Sequence, residues 1–215
     1  MAPDRRTYRR EGEERRREAL IAAALDLVAE GGSQAATVRA IADRAGVTPG
    51  LIRHYFQGKD DLNRAAYAYV MTRIRADSAA VLDGAGADPA ARLAAFVAAC
   101  LCPPVTGPAA VGLWAGFLHQ ALRDPQMRAV HEISYLTFRD MLQDLIAALP
   151  GDRSPEVHRE LAIACNAVLD GLWLEGSILP EAFAVHELPR IGVASVGAIL
   201  GIDLAAALPE PLTPT

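Results

Sequence analysis

Cationic and hydrogen-bonding side chains gather in one stretch, TVRAIADRAGVTPGLIRHYFQGK over residues 37–59, which carries Arg39, Arg53, His54 and Lys59. Lys59 is the only lysine of the chain, and an arginine-rich run (Arg5, Arg6, Arg9, Arg10, Arg15, Arg16 and Arg17) precedes the stretch. Guanidinium and ammonium groups neutralise phosphates, and an arginine can also donate two parallel hydrogen bonds to a guanine edge. The chemistry written here is polyanion recognition. Catalytic chemistry finds no comparable constellation. The five histidines, His54, His119, His131, His158 and His186, are dispersed. His131-Glu132 and His186-Glu187 open a metalloprotease-like motif, but neither has a second histidine at the required spacing. No GxSxG elbow and no phosphate-cradling glycine loop occurs. We therefore expect no enzyme, no metal and no cofactor.

Something must hold these cations on one face, and the spacing says what. Thr37 is placed to cap a helix whose apolar residues Val38, Ile41, Ala42 and Ala45 fall on one side. Gly46 supplies the residue type that turns with positive φ, Val47 plugs the turn, and Thr48-Pro49 reads as an N-cap followed by proline at the first helical position. In the second helix Ile52 and Phe56 face inward, leaving Gly50, Leu51, Arg53, His54 and Tyr55 on or near the outer side. Two helices, a tight turn and a polar outer face predict a helix-turn-helix whose second helix enters a major groove. The expected DNA-contacting set is Thr37, Arg39, Thr48, Gly50, Leu51, Arg53, His54, Tyr55 and Lys59. The competing reading is an αα-corner in an ordinary helical core. It would make the chain a helical small-molecule-binding or scaffold protein that never meets nucleic acid. Retention on heparin or DNA, lost steeply as salt rises, separates the two.

The segment TVRAIADRAGVTPGLIRHYFQGKDDL resembles the DNA-binding domain of the TetR family of transcriptional repressors, and the similarity covers roughly residues 15–62. The resemblance implies a three-helix N-terminal domain carrying the recognition helix and a helical C-terminal domain that dimerises and binds an effector. It departs at Arg53, where many members carry an aromatic that touches phosphate. Here a guanidinium reaches either a phosphate or a guanine edge, and the sequence leaves that choice open. LWAGFLHQALRDPQM (113–127) and NAVLDGLWLEG (166–176) resemble, more loosely, the C-terminal domain of the BetI-like subgroup, choline-responsive repressors of osmoprotectant synthesis genes.

Composition agrees with an all-α chain. Hydrophobic residues make up 52% and charged residues 22% of the 215, in an alanine-rich texture with few strand signals. The net charge of −5 conceals an asymmetry. Residues 1–75 hold 14 Lys and Arg against 10 Asp and Glu, whereas residues 76–215 hold 7 against 16. A cationic N-terminal part on an acidic remainder suits a protein that presents one end to a polyanion. Cys100, Cys102 and Cys165 form neither a disulfide framework nor a CxxC pair, and the N-terminus is charged where a signal peptide would be apolar. A cytoplasmic protein without membrane contact is expected. Residues 93–122 contain no charge, but Pro103, Pro104, Gly107 and Pro108 interrupt them, so neither half is long enough to cross a bilayer.

About nine helices are predicted: 13–30, 37–45, 49–56, 59–82, 89–101, 108–123, 125–149, 155–179 and 189–200. This gives a flexible basic arm (1–12), a three-helix DNA-binding domain (13–58) and a helical effector-binding and dimerisation domain (59–215). A homodimer, implied by the resemblance, needs an apolar face. Leu161, Val168, Leu172, Ile191, Ala194, Val196 and Ile199 on the last two helices are the candidates, because the final helix sits in a stretch free of charge from 191 to 202 and contains small residues. For a small-molecule effector the pocket is expected between helix 4 and the helices after it. Its candidate lining is Trp114, Phe117, Leu118, Tyr135, Phe138, Asp170 and Trp173, with Glu132 and Glu175 also nearby. Aromatics beside carboxylates suit a quaternary ammonium such as choline; a mostly apolar small molecule is the alternative.

Overall fold

The computed structural model describes residues 5–103 and 105–208. Among them are nine α-helices and no strand: α1 (Arg5–Ala35), α2 (Val38–Arg44), α3 (Pro49–Tyr55), α4 (Lys59–Ala80), α5 (Pro89–Cys100), α6 (Pro108–Ala121), α7 (Pro125–Ala147), α8 (Pro155–Ile178) and α9 (Glu187–Leu200). Prolines stand at the first position of five of these helices, where a missing N–H costs nothing. Of the basic arm expected over 1–12, residues 1–4 lie outside the described part. From Arg5 the backbone is already helical, so α1 begins well before the expected Glu13. Its far end obeys the sequence: Gly31 (φ −146°) and Gly32 (φ +70°, ψ −176°) leave helical geometry and kink the chain before its last residues.

The helices divide into two compact units. The first comprises residues up to Val70 together with Gly112–His131, and the second comprises Met71–Val111 and Glu132 onward. The division falls inside α4, α6 and α7, so the first unit is larger than the expected 13–58. The reason is packing: Tyr67 of α4 is fully buried against Phe117 of α6, with ring centroids 5.1 Å apart, and its hydroxyl meets Nδ1 of His131 on α7 at 2.6 Å. Burial pushes the Tyr67 phenol up to about 12 and lowers the His131 pKa, so both groups are neutral near pH 7. Leu20, Ile21, Ile41, Ile52, Phe56 and Leu62 fill the rest of this unit's core.

In the second unit α5 and α9 carry the centre. Leu93, Phe96 and Val97 meet Leu142 and Ile146 of α7, Leu169 of α8, and Val193, Val196 and Leu200 of α9. Arg153 donates to the Leu200 carbonyl, satisfying an acceptor at the end of α9. The uncharged stretch 93–122 is broken as its prolines dictate, since α5 ends at Cys100 and α6 starts at Pro108. α8 alone among the described helices is long and apolar enough to span a bilayer by length and composition, and its residues Ala162, Cys165 and Leu169 are core contacts of this unit.

Candidate nucleic-acid interface and ligand cavity

Thr37 has extended backbone (φ −80°, ψ 154°), and its hydroxyl accepts from the Ala40 amide at 3.1 Å, which starts α2. Ile41 and Ala42 are completely buried. The helix closes through Gly46 at φ +66°, with the Gly46 amide donating to Asp43 and the Val47 amide to Ala42 at 2.9 Å. Thr48 repeats the extended cap geometry (φ −82°, ψ 148°), but its side chain makes no capping bond, so its hydroxyl is available to another acceptor or donor. Ile52 and Phe56 anchor α3 inward at 1% and 2% exposure. Gly50, Arg53 and His54 are exposed on the opposite side, Leu51 and Tyr55 are half-buried, and His54 and Tyr55 meet edge to face at 5.1 Å.

Electrostatics sorts the arginines. Arg44 is clamped by both carboxylate oxygens of Glu30, at 2.9 and 2.7 Å, and the pair lowers the Glu30 pKa and raises that of Arg44. Its charge is spent internally. Arg17, counted with the basic arm in the sequence, lies 5.3 Å over the Phe56 ring and braces the end of α3. Neither role was legible beforehand, since each depends on a partner that folding delivers. Arg39 and Arg53 are exposed and in no ion pair among the described residues, which leaves their charge for an outside anion. Lys59 is half-buried at the start of α4. The arrangement fits a phosphate-straddling recognition helix.

The expected effector residues are distributed over both compact units. Trp114, Phe117 and Leu118 belong to the first unit, whereas Tyr135, Phe138, Asp170 and Trp173 belong to the second. Phe117 and Phe138 are packing residues, against Tyr67 and against Phe96 at 5.5 Å respectively. Asp170 accepts from the buried Asn166 at 2.9 Å. The residue is exposed on its helix, yet flanking protein desolvates the carboxylate enough to raise its pKa, with the Asn166 hydrogen bond acting in the opposite sense. Trp173 donates its indole N–H to the Val105 carbonyl at 2.8 Å, and Ser177 accepts from the Gly107 amide at 3.1 Å. Two bonds from α8 thus fix the loop between α5 and α6.

That loop walls a cavity of about 500 Å³ that the sequence reading did not find. Asp77 and Val81 at the end of α4, Ala95 and Ala98 of α5, and Cys102 and Val105 of the loop are among its lining residues. It does lie between helix 4 and a later helix, but none of the seven expected effector residues lines it. Alanines facing a void look in sequence like alanines facing a neighbour, so no local signal marks it.

Two family models match the chain: bacterial regulatory proteins of the tetR family over residues 20–66, and BetI-type transcriptional repressor, C-terminal, over 89–201. The HTH-type transcriptional regulator BetI of Burkholderia thailandensis is 32% identical over 168 residues, covering 78% of this chain and 85% of that protein. The chain belongs to the TetR family. It is a BetI-like transcriptional regulator and not an enzyme. A solved Pseudomonas aeruginosa PAO1 protein, classed as a transcriptional regulator, superposes with a TM-score of 0.73 at 31% identity, covering 91% of this chain and 93% of its own. A Saccharomonospora viridis protein solved in complex with choline shares the fold at a TM-score of 0.67 and 19% identity, over 82% of this chain and 92% of that one.

In this TetR-family chain the two glycines of α9 serve the protomer itself. A Cβ on Gly192 would collide with Leu101, and one on Gly197 would fall 2.8 Å from the Ile202 carbonyl. Val196, expected at the dimer face, is fully buried in the protomer core and is removed from that set. Its i, i+3 neighbour Val193 points the same way, because α5 covers that side of the helix. Leu161, Leu172 and Ile199 are partly buried against the same core. Val168 and Ile191 are half-buried, and Ala194 is exposed. Sequence reasoning missed three exposed apolar residues at the α8–α9 connection: Ile178, Leu179 and Val185, the last 82% exposed.

Proposed function

We propose that this chain acts as a homodimeric, cytoplasmic repressor that binds a palindromic operator and leaves it when a small-molecule effector binds. The observation that carries the reading is the outer face of α3, where Gly50, Arg53 and His54 are exposed while Arg44 nearby is neutralised by Glu30. Within the DNA-binding set, Thr37, Thr48, Gly50, Arg53 and His54 surround the groove-facing side. Arg39 and Lys59 supply phosphate contacts, and Leu51 and Tyr55 pack at its margin. In a dimer two such helices about 34–36 Å apart address successive major grooves. The dimer face is assigned to Leu161, Val168, Leu172, Ile191, Ala194 and Ile199, extended by the exposed Ile178 and Leu179. For the effector, Asp170 and Trp173 on successive positions of one α8 face offer a carboxylate and a ring. Choline is accordingly the first compound to titrate, with support from the choline-bound protein that shares the fold.

The test starts from operator fragments selected out of the source genome by the purified protein. Binding should weaken steeply as salt rises, and the complex should have the mass of two chains on one near-palindromic duplex. Millimolar choline should release it. Salt-independent binding, or a monomer holding the palindrome tightly, sinks the repressor-dimer reading; release by neutral hydrophobic compounds alone sinks the choline assignment.

A further inference from the structure

The cavity at the end of α4 is built differently from an aromatic cage, and its chemistry selects a different ligand. Its floor is the alanine face of α5, Ala95 and Ala98 with Ala99, and its sides are Val81 and Val105. These present methyl groups and no ring. A quaternary ammonium would find no aromatic face here for cation–π attraction. The single carboxylate among the lining residues is Asp77, which is half-buried and enters no ion pair among the described residues. Arg75, two residues earlier and half-buried, forms no ion pair with it among the described residues, and neither do Arg73 and Arg92. Arg73, one turn earlier on α4, is exposed. Arg92 of α5 is committed to the carbonyls of Leu82 and Gly86, at 2.9 and 3.3 Å, and so fixes the rim that contains Gly84 and Ala85. The opposite wall is held by Trp173 and Ser177 through the Val105 carbonyl and the Gly107 amide. The cavity is therefore held open by hydrogen bonds on two sides, and its volume falls within the range of small-molecule sites.

We propose that this cavity is a binding site for a primary alkylammonium compound, whose N–H groups donate to the Asp77 carboxylate while its alkyl chain lies along Ala95, Ala98 and Val105. A primary ammonium carries three donors for that carboxylate, whereas a trimethylammonium carries none and cannot approach as closely. The proposal concerns binding in the second unit and goes beyond the effector reading, which assigns a ring and a carboxylate on α8.

Cys102 lines the cavity and is half-buried, while Cys100 and Cys165 are buried, so alkylation of Cys102 reports occupancy without reference to DNA. The full-length protein is treated with an uncharged maleimide, and labelling at each cysteine is read by mass spectrometry. n-Hexylamine, hexyltrimethylammonium and 1-hexanol are compared as protecting compounds. Hexylamine should protect Cys102 at concentrations about tenfold below the other two, the margin of one charge-assisted hydrogen bond. Asp77→Asn should erase that margin, and Ala95→Leu, which fills the cavity from its partly exposed side, should abolish protection by all three. Calorimetry of all three compounds binding to Cys102→Ser should give the same ranking without the thiol. Equal protection by hexyltrimethylammonium, an unchanged margin in Asp77→Asn, or no protection by any compound overturns the proposal. The operator complex is assayed in parallel. Protection of Cys102 without operator release supports the site and counts against the cavity as the effector switch, whereas release by choline with Cys102 still reactive to every compound leaves the effector reading standing and removes this one.

Discussion

The α2–α3 pair and the α8–α9 pair are both consecutive helices in contact, each carrying small and apolar residues, yet they use those residues in opposite ways. In α3, Gly50 is exposed and meets nothing closer than the Thr48 hydroxyl at 3.9 Å from a notional Cβ, so its smallness keeps an outer surface low. In α8 and α9, Gly176, Gly192 and Gly197 are buried and each has a neighbour where a Cβ would stand. The same residue type leaves an open outer surface in one pair and makes an internal contact in the other. A pattern of small residues therefore states that something comes close, without stating whether it belongs to the same chain.

The largest effect tests that contrast within α9. Val196→Asp should destabilise the protomer by more than about 3 kcal/mol, because a carboxylate without a partner is placed in the core of the second unit. Ala194→Asp, two residues away but on the exposed side, should leave protomer melting within about 0.5 kcal/mol and act on dimer mass instead. Thermal melts and sedimentation of the two variants decide it. A dimer intact in Ala194→Asp removes that residue from the interface.

Next in size is the outer face of α3. Arg53→Ala should cost about 1–3 kcal/mol of operator binding and relax base preference at one position per half-site if the guanidinium reads a base. Lys59→Ala should weaken all sequences alike and flatten the salt dependence by about one unit, as a phosphate contact does. Binding to operator variants at several salt concentrations separates the two, and the reverse pattern exchanges the roles.

The two threonines of the module sharpen the comparison further. Thr37 makes its capping bond and Thr48 does not. Thr37→Ala should lower stability by about 1 kcal/mol, the usual cost of a lost cap. Thr48→Ala should leave the melting temperature almost unchanged while reducing DNA affinity. An equal stability loss in both would mean that Thr48 caps α3 in solution.

The smallest effect is the pH response of the Glu30–Arg44 clamp. The hydrogen bonds from Arg44 hold the Glu30 pKa below its ordinary value in the folded chain. The unfolded chain thus binds the proton more readily, and the clamp's contribution is present above the ordinary carboxylate pKa and fades as pH falls through the folded value. Both side chains are exposed, so the contribution is small. Melting temperatures between pH 3 and 7 should show a slightly shallower acid slope for Arg44→Ala than for the parent. A steeper slope contradicts the direction of the shift.

The helices and the turn of the DNA-binding module could be read from the chain because their determinants are local. Thr37, Gly46, Pro49 and the Ile41/Ile52/Phe56 spacing act within a few residues of where they stand, and the backbone geometry at Thr37 and Gly46 is the one these residues favour. The same locality placed the starts of α5 to α8 at their prolines. Matters that depend on partners far along the chain were settled only by folding. Arg44 and Arg53 are the same residue type nine positions apart, and only the arrival of Glu30 neutralises the first. Val196 and Ala194 both fit an apolar helix face, and α5 decides which is covered. The aromatics Trp114 and Trp173 were grouped by composition, but the fold assigns them to different compact units. The cavity was invisible for the same reason, since a void is defined by side chains that fail to meet, and α4, α5 and the loop after it meet or miss one another only in three dimensions.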